Sequence, residues 1–229
     1  MVPVVRFVTP TISNGKVYIG GTTALDVYGL LPSLSVVTGN NQTGMEKTVL
    51  PVPLSVVATD AYASSPLAGA PVECVDGGKG GVFTPSATQT TNAAGTVTYN
   101  YQLPPKPTAV TITCSSVGYI SALLSETGAV GPPATMSLVS GNSQTAQPNT
   151  PLAEPLVVKV VDAHGYGVAG VTVNFTDNGA GGTFVASSIV TGSTGEASAQ
   201  YTTGAKAGKV TITASTAGVK SLTFKVTVE

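Results

Sequence analysis

The sequence predicts an all-β protein that contains two tandem β-sandwiches of about seven strands each, preceded by a β-hairpin-like segment. Composition, an internal repeat and short alternating apolar patterns support this prediction. The 229 residues include 27 glycines and 16 prolines, and valine and threonine recur throughout, a composition that favours strands and tight turns. Charged residues make up only 9% of the chain while hydrophobic residues make up 42%, which is typical of a globular rather than a disordered chain.

An internal repeat of roughly 100 residues divides the chain. The stretch that begins SVVTGNNQTG at Ser35 has a counterpart that begins SLVSGNSQTA at Ser137. The aligned pairs include Leu54 with Leu156, Asp60 with Asp162, Tyr101 with Tyr201 and Ile112 with Ile212. We therefore expect one sandwich at 31–130 and another at 131–229, after a strand segment at 1–30.

Within each copy, apolar and polar residues alternate over four to seven positions. In VTITC, Val110, Ile112 and Cys114 fall on one face and the two threonines fall on the other. The second copy repeats the pattern in KVTITA. This period of two predicts half-buried strands whose apolar faces meet in a core.

Charge and apolar patterning argue against several classes of function. The net charge of −1 gives no electrostatic basis for binding nucleic acid. The longest apolar stretch, VLPVPLSVVA, is about half as long as a membrane-spanning helix and contains two prolines. The start, MVPVVRFVTP, lacks the pattern of a signal peptide. We expect no membrane insertion and no nucleic-acid partner.

The stretch VVDAHGYG contains the only histidine of the chain and could be read as a site or as a turn. Asp162, His164 and Tyr166 are residue types found in catalytic and metal centres. The equivalent stretch of the first copy keeps Asp60 but has Tyr62 in place of His164. An aspartate at a strand end commonly accepts hydrogen bonds from backbone N–H groups two residues ahead. We interpret Asp60 and Asp162 as turn-fixing residues, and predict no catalytic, cofactor-binding or metal-binding residues.

The order of these elements resembles the bacterial immunoglobulin-like (Ig-like) domains that recur in invasin- and intimin-type surface proteins. The matching signature is VVKVVDAHGYGVAGVTVNF, then GGTF, then STGEASAQYTTGAKAGKVTITAS. The resemblance covers most of 135–229 and, more loosely, 33–127. It implies a non-catalytic extracellular module, a spacer of a surface protein or filament with structural or adhesive roles.

Cys74 and Cys114 are the only cysteines, and their positions in alternating strands put both side chains in the core. The resemblance implies that their strands, the third and the sixth, are neighbours in one sheet. The second copy has Phe175 and Ala214 at these positions, a large and a small residue that could share one volume. We predict a disulfide between Cys74 and Cys114, and hence an oxidising compartment: cell surface, extracellular space or periplasm.

Residues 1–30 lie outside the repeat and contain Asn14-Gly15, a two-residue hairpin signal. The stretch resembles the last blade of a quinoprotein-type β-propeller, through strings such as TISNGKVYIGG and LDVYG. It is either a piece of an upstream propeller or a dedicated pairing element, since isolated strands with exposed edges pair readily with other chains. The residues of this possible strand-pairing segment are Phe7, Val8, Ile12, Val17, Tyr18 and Ile19.

Two other functions stay open at this stage. One is a carbohydrate-binding or accessory C-terminal module of a larger secreted propeller enzyme. Aromatic rings stack on sugars, and although tryptophan is absent, Tyr62, Tyr119 and Tyr166 could supply such rings. The other is association with protein partners, or with further copies of the chain, through strand edges. No cofactor is expected for any of these functions.

Overall fold

The computed structural model describes residues 9–13, 16–20 and 25–229. By contact, the chain divides into a first unit that ends at Ala129 and a second unit, Val130–Glu229. All the regular structure within the described residues is β-strand. Asn14 and Gly15, which the sequence predicts as a hairpin turn, lie outside the described residues, as do Phe7 and Val8.

The first unit contains twelve strands among its described residues. In chain order they are β1 (Thr11–Ser13), β2 (Lys16–Gly20), β3 (Leu25–Gly29), β4 (Ser33–Thr38), β5 (Thr43–Met45), β6 (Leu54–Thr59), β7 (Pro71–Val75), β8 (Val82–Thr84), β9 (Thr88–Thr90), β10 (Thr96–Gln102), β11 (Ala109–Ser115) and β12 (Ala122–Ala129).

These strands form three sheets. A sheet in the order β4-β6-β10-β8 and a sheet in the order β5-β12-β11-β7-β9 make up the first sandwich, and β1-β2-β3 form a separate antiparallel sheet. Pairing is antiparallel except between β5 and β12, which run parallel. Burial alternates along β7, β10, β11 and β12, as a sandwich with one buried face per sheet requires.

The second unit repeats this arrangement with a few interruptions. Its strands are β13 (Thr135–Ser140), β14 (Gln144–Ala146), β15 (Leu156–Val161), β16 (Thr172–Thr176), β17 (Thr183–Phe184), β18 (Ser188–Val190), β19 (Glu196–Ala199), β20 (Tyr201–Thr202), β21 (Gly208–Thr216) and β22 (Val219–Val228). They pair in the orders β13-β15-β19, β14-β22-β21-β16-β18 and β17-β20. The parallel pair of the first unit has its counterpart in β14 and β22.

Each unit has its own apolar core, and corresponding residues occupy it. Leu54 and Leu156 are 2% and 0% exposed. Leu54 begins β6, which pairs with β4, and Leu156 begins β15, which pairs with β13. Ile112 lies opposite Leu124, and Ile212 lies opposite Phe224, all of them fully buried. The residues that the sequence aligns therefore sit in like surroundings.

A shared irregularity supports the same correspondence. The ladder shifts register between Val36 and Thr38 in β4, and likewise at the equivalent place in β13. The glycine that follows, Gly39 or Gly141, has φ near +86° or +85°, and a Cβ there would strike the backbone carbonyl of Pro53 or Pro155. Only glycine fits this turn.

The number of strands differs from the seven expected for each sandwich. Short edge segments such as β5, β9 and β18 form strands of their own, separated by bends from the strands that precede them. The long strands predicted from alternation are all present.

Candidate functional site

The loop after β15 is organised around the carboxylate of Asp162. Its Oδ1 accepts hydrogen bonds from the backbone N–H groups of His164 and Tyr166, both at 2.9 Å. Its Oδ2 accepts one from the N–H of Gly131 at 3.0 Å, so the carboxylate also fastens the segment that enters the second unit. Asp162 is 3% exposed, whereas the His164 side chain is exposed. This geometry is that of a turn brace.

Asp60 braces the equivalent loop of the first unit. Its Oδ1 accepts from the N–H groups of Tyr62 and Ala63, at 2.8 and 2.7 Å, and its Oδ2 accepts from Ser65 at 3.1 Å. The hydroxyl of Tyr62 in turn accepts a hydrogen bond from the N–H of Leu30 at 3.1 Å. In both units, therefore, this loop holds the chain segment that leads into the sandwich, a contact that the sequence pattern does not reveal.

These bonds change the acidity of Asp60. The N–H of Ala63, followed by that of Tyr62, lowers the pKa of the Asp60 carboxyl below its ordinary value of 3.8. A lowered pKa means that the contribution of Asp60 to stability is present above its unfolded pKa and is lost as the pH falls through the folded value.

A second carboxylate brace, absent from the sequence analysis, lies in the glycine-rich loop after β7. The hydroxyl of Tyr101 donates to Oδ2 of Asp76 at 3.0 Å, and the N–H of Gly81 donates to the same oxygen at 2.7 Å. The other oxygen of Asp76 accepts from Gly78 and Lys79. Burial, with the nearby charge of Asp76 as a lesser cause, raises the pKa of Tyr101.

The second unit repeats this brace after β16. Tyr201 donates to Oδ2 of Asp177 at 3.1 Å, and the N–H of Gly182 donates to it at 2.8 Å. Burial raises the pKa of Tyr201 to about 12. A Cβ on Gly182 would overlap the Tyr201 hydroxyl, and one on Gly81 would overlap that of Tyr101. In the sequence, the alignment of GGVF with GGTF indicates this brace, because the glycine at the same position of each unit leaves room for the tyrosine ring.

The two cysteines are joined by a disulfide. Cys74 of β7 and Cys114 of β11 are directly opposed in the ladder, with Cα atoms 4.0 Å apart. They are 0% and 1% exposed, so the bond lies in the core of the first sandwich. The corresponding residues Phe175 and Ala214 are likewise directly opposed. In the second unit one large ring and one methyl group fill the space that the disulfide takes in the first.

The N-terminal sheet carries an apolar row that water can reach. Ile12, Val17 and Tyr28 lie opposite one another across β1, β2 and β3, and Ile12 and Tyr28 are 75% and 57% exposed. Ile19 falls on the same face by alternation, whereas Tyr18 falls on the other. Since β2 is paired on both sides, pairing with a further strand would have to use the outer edge of β1 or β3.

The three tyrosines considered as sugar platforms have different surroundings. Tyr119 packs partly buried against the core of the first sandwich. Tyr62 is 47% exposed and lines a shallow cavity with Lys16, Leu30 and Asp60. Tyr166 is half-buried in the Asp162 loop.

Within the part of the chain that the structure describes, no helical segment has the length and apolar character needed to cross a bilayer.

Comparison with known proteins gives matches at the level of structure. No family model matches the chain, and no curated protein matches it. InvD of Yersinia pseudotuberculosis superposes with a TM-score of 0.52 at 14% identity, over 86% of this chain and 57% of InvD. The chain thus spans little more than half of InvD.

Two further matches are more distant in geometry. The Escherichia coli adhesin FdeC gives a TM-score of 0.49 at 16% identity, over 92% of this chain and 73% of FdeC. The D00-D0 domain of intimin gives 0.44 at 17% identity, over 83% of this chain and 98% of that domain. The sandwiches are of the Ig-like class that the sequence pattern predicted. The comparisons give no support to a propeller blade at residues 1–30.

Proposed function

We propose that the chain is a non-catalytic structural and adhesive module, in which two tandem Ig-like sandwiches serve as a spacer of a bacterial surface protein or filament. The observation that supports the proposal is that corresponding polar side chains of the two units make hydrogen bonds within the protein. In both units the same residue types hydrogen-bond the backbone of their own unit, where they shape the scaffold. The pairs are Gln42 and Gln144, Asp60 and Asp162, Asp76 and Asp177, and Thr91 and Thr191.

The location proposed for this module is the cell surface or the extracellular space, with the periplasm as a further compartment of the same redox state. The buried Cys74–Cys114 disulfide supports it, because such bonds persist in oxidising compartments.

Adhesion is proposed to use the N-terminal sheet. A sheet of three short strands with one exposed apolar row is marginal in water and gains stability when another strand or surface covers it. Ile12 and Tyr28 supply the exposed area. The partner is a protein, either a further copy of the chain or the next segment of a larger assembly.

The test displays the chain on bacterial cells through an outer-membrane anchor and scores aggregation of the cells and attachment to host cells. We expect the displayed chain to raise one of these above the anchor alone, and the double variant I12T/Y28T to abolish the increase. V117T is the matched control, because Val117 is 97% exposed but lies in the loop between β11 and β12. A folded, protease-resistant display that neither aggregates nor attaches would contradict the adhesive role.

The alternative, a carbohydrate-binding accessory module, rests on the exposed ring of Tyr62 beside its cavity. A glycan array separates the two. Saturable binding that the Y62A variant removes would favour the alternative, and an array without binding would favour the spacer.

A further inference from the structure

Glu126 is a carboxylic acid placed in the apolar core of the first sandwich. Along β12 the inward positions are Ala122, Leu124, Glu126 and Gly128, and Glu126 is 2% exposed. Carboxylates are seldom fully buried unless they are paired with a cation. The position therefore calls for a physical reason.

The carboxylate is only half satisfied by its surroundings. Oε2 accepts a hydrogen bond from the backbone N–H of Gln42 at 2.8 Å. Oε1 is buried and has no hydrogen-bond partner among the described residues. Gln42 directly precedes β5, the edge strand that runs parallel to β12, and its carbonyl accepts from the N–H of Thr127. Glu126 thus holds the start of β5.

The second unit has no such acid. The ladder of β11 and β12 places Glu126 opposite Val110, and that of β21 and β22 places Val226 opposite Val210. Val226 is 2% exposed and apolar. The same position in the same fold therefore accepts a valine, which makes the second unit an internal control for the acid in the first.

The strands that β12 contacts carry no cation to offset the charge. β12 contacts β11, β5 and β4, which carry no titratable side chain besides the disulfide-bonded Cys114. The titratable groups on β10, in the loop after β7, in the loop before β11 and beyond β5 are Tyr99, Tyr101, Asp76, Lys79, Lys106, Glu46 and Lys47. Of these, Tyr101 interacts electrostatically with Glu126, and its hydroxyl donates a hydrogen bond to Asp76. Burial raises the pKa of Glu126 to about 7, although the N–H of Gln42 opposes the shift.

We propose that the protonation state of Glu126 controls how firmly the first sandwich is closed, beginning with the attachment of its edge strand β5. With the proton bound, the carboxyl is a neutral group in an apolar core and Gln42 stays on it. Without the proton, a charge with one unpaired oxygen remains in the core, and release of the β5 segment brings it to water. The first unit therefore contains a pH-responsive element at β5, and the second unit, with Val226 at the equivalent position, lacks this element.

The direction of the effect follows from the two states. In the unfolded or opened chain the carboxyl titrates near 4.5, and in the closed core it keeps its proton to about 7. Between these values the opened state releases a proton that the closed state retains, so closure weakens as the pH rises. Below this pH window Glu126 is protonated in both states, and above it the weakening of closure is complete. The difference between the pKa values of the opened and closed states corresponds to a change on the order of a hundredfold in the opening equilibrium.

Hydrogen exchange of the full chain, followed by mass spectrometry from about pH 5 to about pH 8.5 and corrected for intrinsic exchange, tests the proposal. We expect the protection of peptides that cover Gln42 and β5 to fall on the order of a hundredfold as the pH rises. Peptides that cover β14, next to Val226, should keep theirs. E126Q, which has the same shape without the charge, and E126V, which has the side chain of the second unit, should both remove the pH dependence.

The reciprocal variant V226E should create the same dependence at β14. If V226E does not fold, E126Q and E126V still decide the matter. Equal pH dependence in the wild type and E126Q, or a wild type whose β5 protection does not change with pH, would overturn the proposal.

Discussion

The hydroxyl of Tyr101 lies 3.0 Å from Oδ2 of Asp76, and the same bond joins Tyr201 to Asp177 at 3.1 Å. In each unit the bond ties a core tyrosine to the glycine-rich loop on the facing sheet. Each tyrosine ring also packs on a phenylalanine, Phe83 or Phe184, with centroids 4.7 and 4.8 Å apart. This duplicated brace closes one end of both sandwiches.

Removal of the hydroxyl alone should weaken the brace without emptying the core. Y101F should lower the free energy of unfolding of the first unit by about 1–2 kcal/mol, and Y201F should do the same for the second, since the carboxylate loses one donor and keeps its backbone donors. Urea denaturation, with hydrogen exchange to assign each transition to a unit, provides the measurement. Y28F is the control, because Tyr28 is 57% exposed, and it should have almost no effect.

The glycine beneath the tyrosine should be irreplaceable. G182A places a methyl group against the Tyr201 hydroxyl, whereas G192A in the same unit places one in open space. We expect G182A to lower the stability of the second unit by about 2 kcal/mol or more through overpacking. G192A should change it by less than about 0.5 kcal/mol. Equal effects of the two variants in thermal unfolding would contradict this account of the loop.

The disulfide should matter to the first unit only. It closes a loop with a sequence separation of 40, for which the chain-entropy model gives about 4 kcal/mol. C74A/C114A should lose about that much in urea denaturation, and the transition of the second unit should not move. C74F/C114A, which installs the pair found at Phe175 and Ala214, should recover part of the loss by refilling the core. A double-alanine variant as stable as the wild type would show that the bond is dispensable.

Asp162 should act through its oxygens as hydrogen-bond acceptors. D162A removes the acceptors of three backbone N–H groups and should destabilise the second unit by about 1–3 kcal/mol. D162N keeps one acceptor oxygen and should fall between the wild type and D162A. If D162A unfolded no more easily than the wild type in a thermal melt, the turn-brace interpretation would be wrong.

Sequence periodicity was sufficient to predict the long strands and which of their residues face the core. Val110, Ile112 and Cys114 are buried as the alternation predicts, and Thr111 points outward. The repeat also indicated that Cys74 and Cys114 are neighbours, because the second copy has a large and a small residue, Phe175 and Ala214, at the same positions. Local turn chemistry accounts for the bonds that Asp60 and Asp162 accept from N–H groups two to five residues ahead, but not for the bond from Gly131 to Asp162, which spans 31 residues.

Contacts between residues distant in sequence could not be predicted in this way. The bonds from Tyr101 to Asp76 and from Gln42 to Glu126 span 25 and 84 residues, and their partners become neighbours only when the sheets pack. Glu126 itself reads as an outward residue by type, although its parity in β12 is inward. Pairing at the edges of the N-terminal sheet likewise depends on the register of β1, β2 and β3, since β2 is the central strand.

The central claim is that the two sandwiches fold and unfold independently of each other, with a loop of the first kept closed by the disulfide. Stretching the full chain by its ends in a single-molecule force experiment tests it most directly. We predict two unfolding steps, one of about 30 nm for the second unit and one of about 20 nm for the first, whose disulfide loop stays closed; reductant should lengthen the shorter step to about 30 nm. A single step for the whole chain, or two equal steps under oxidising conditions, would contradict the claim.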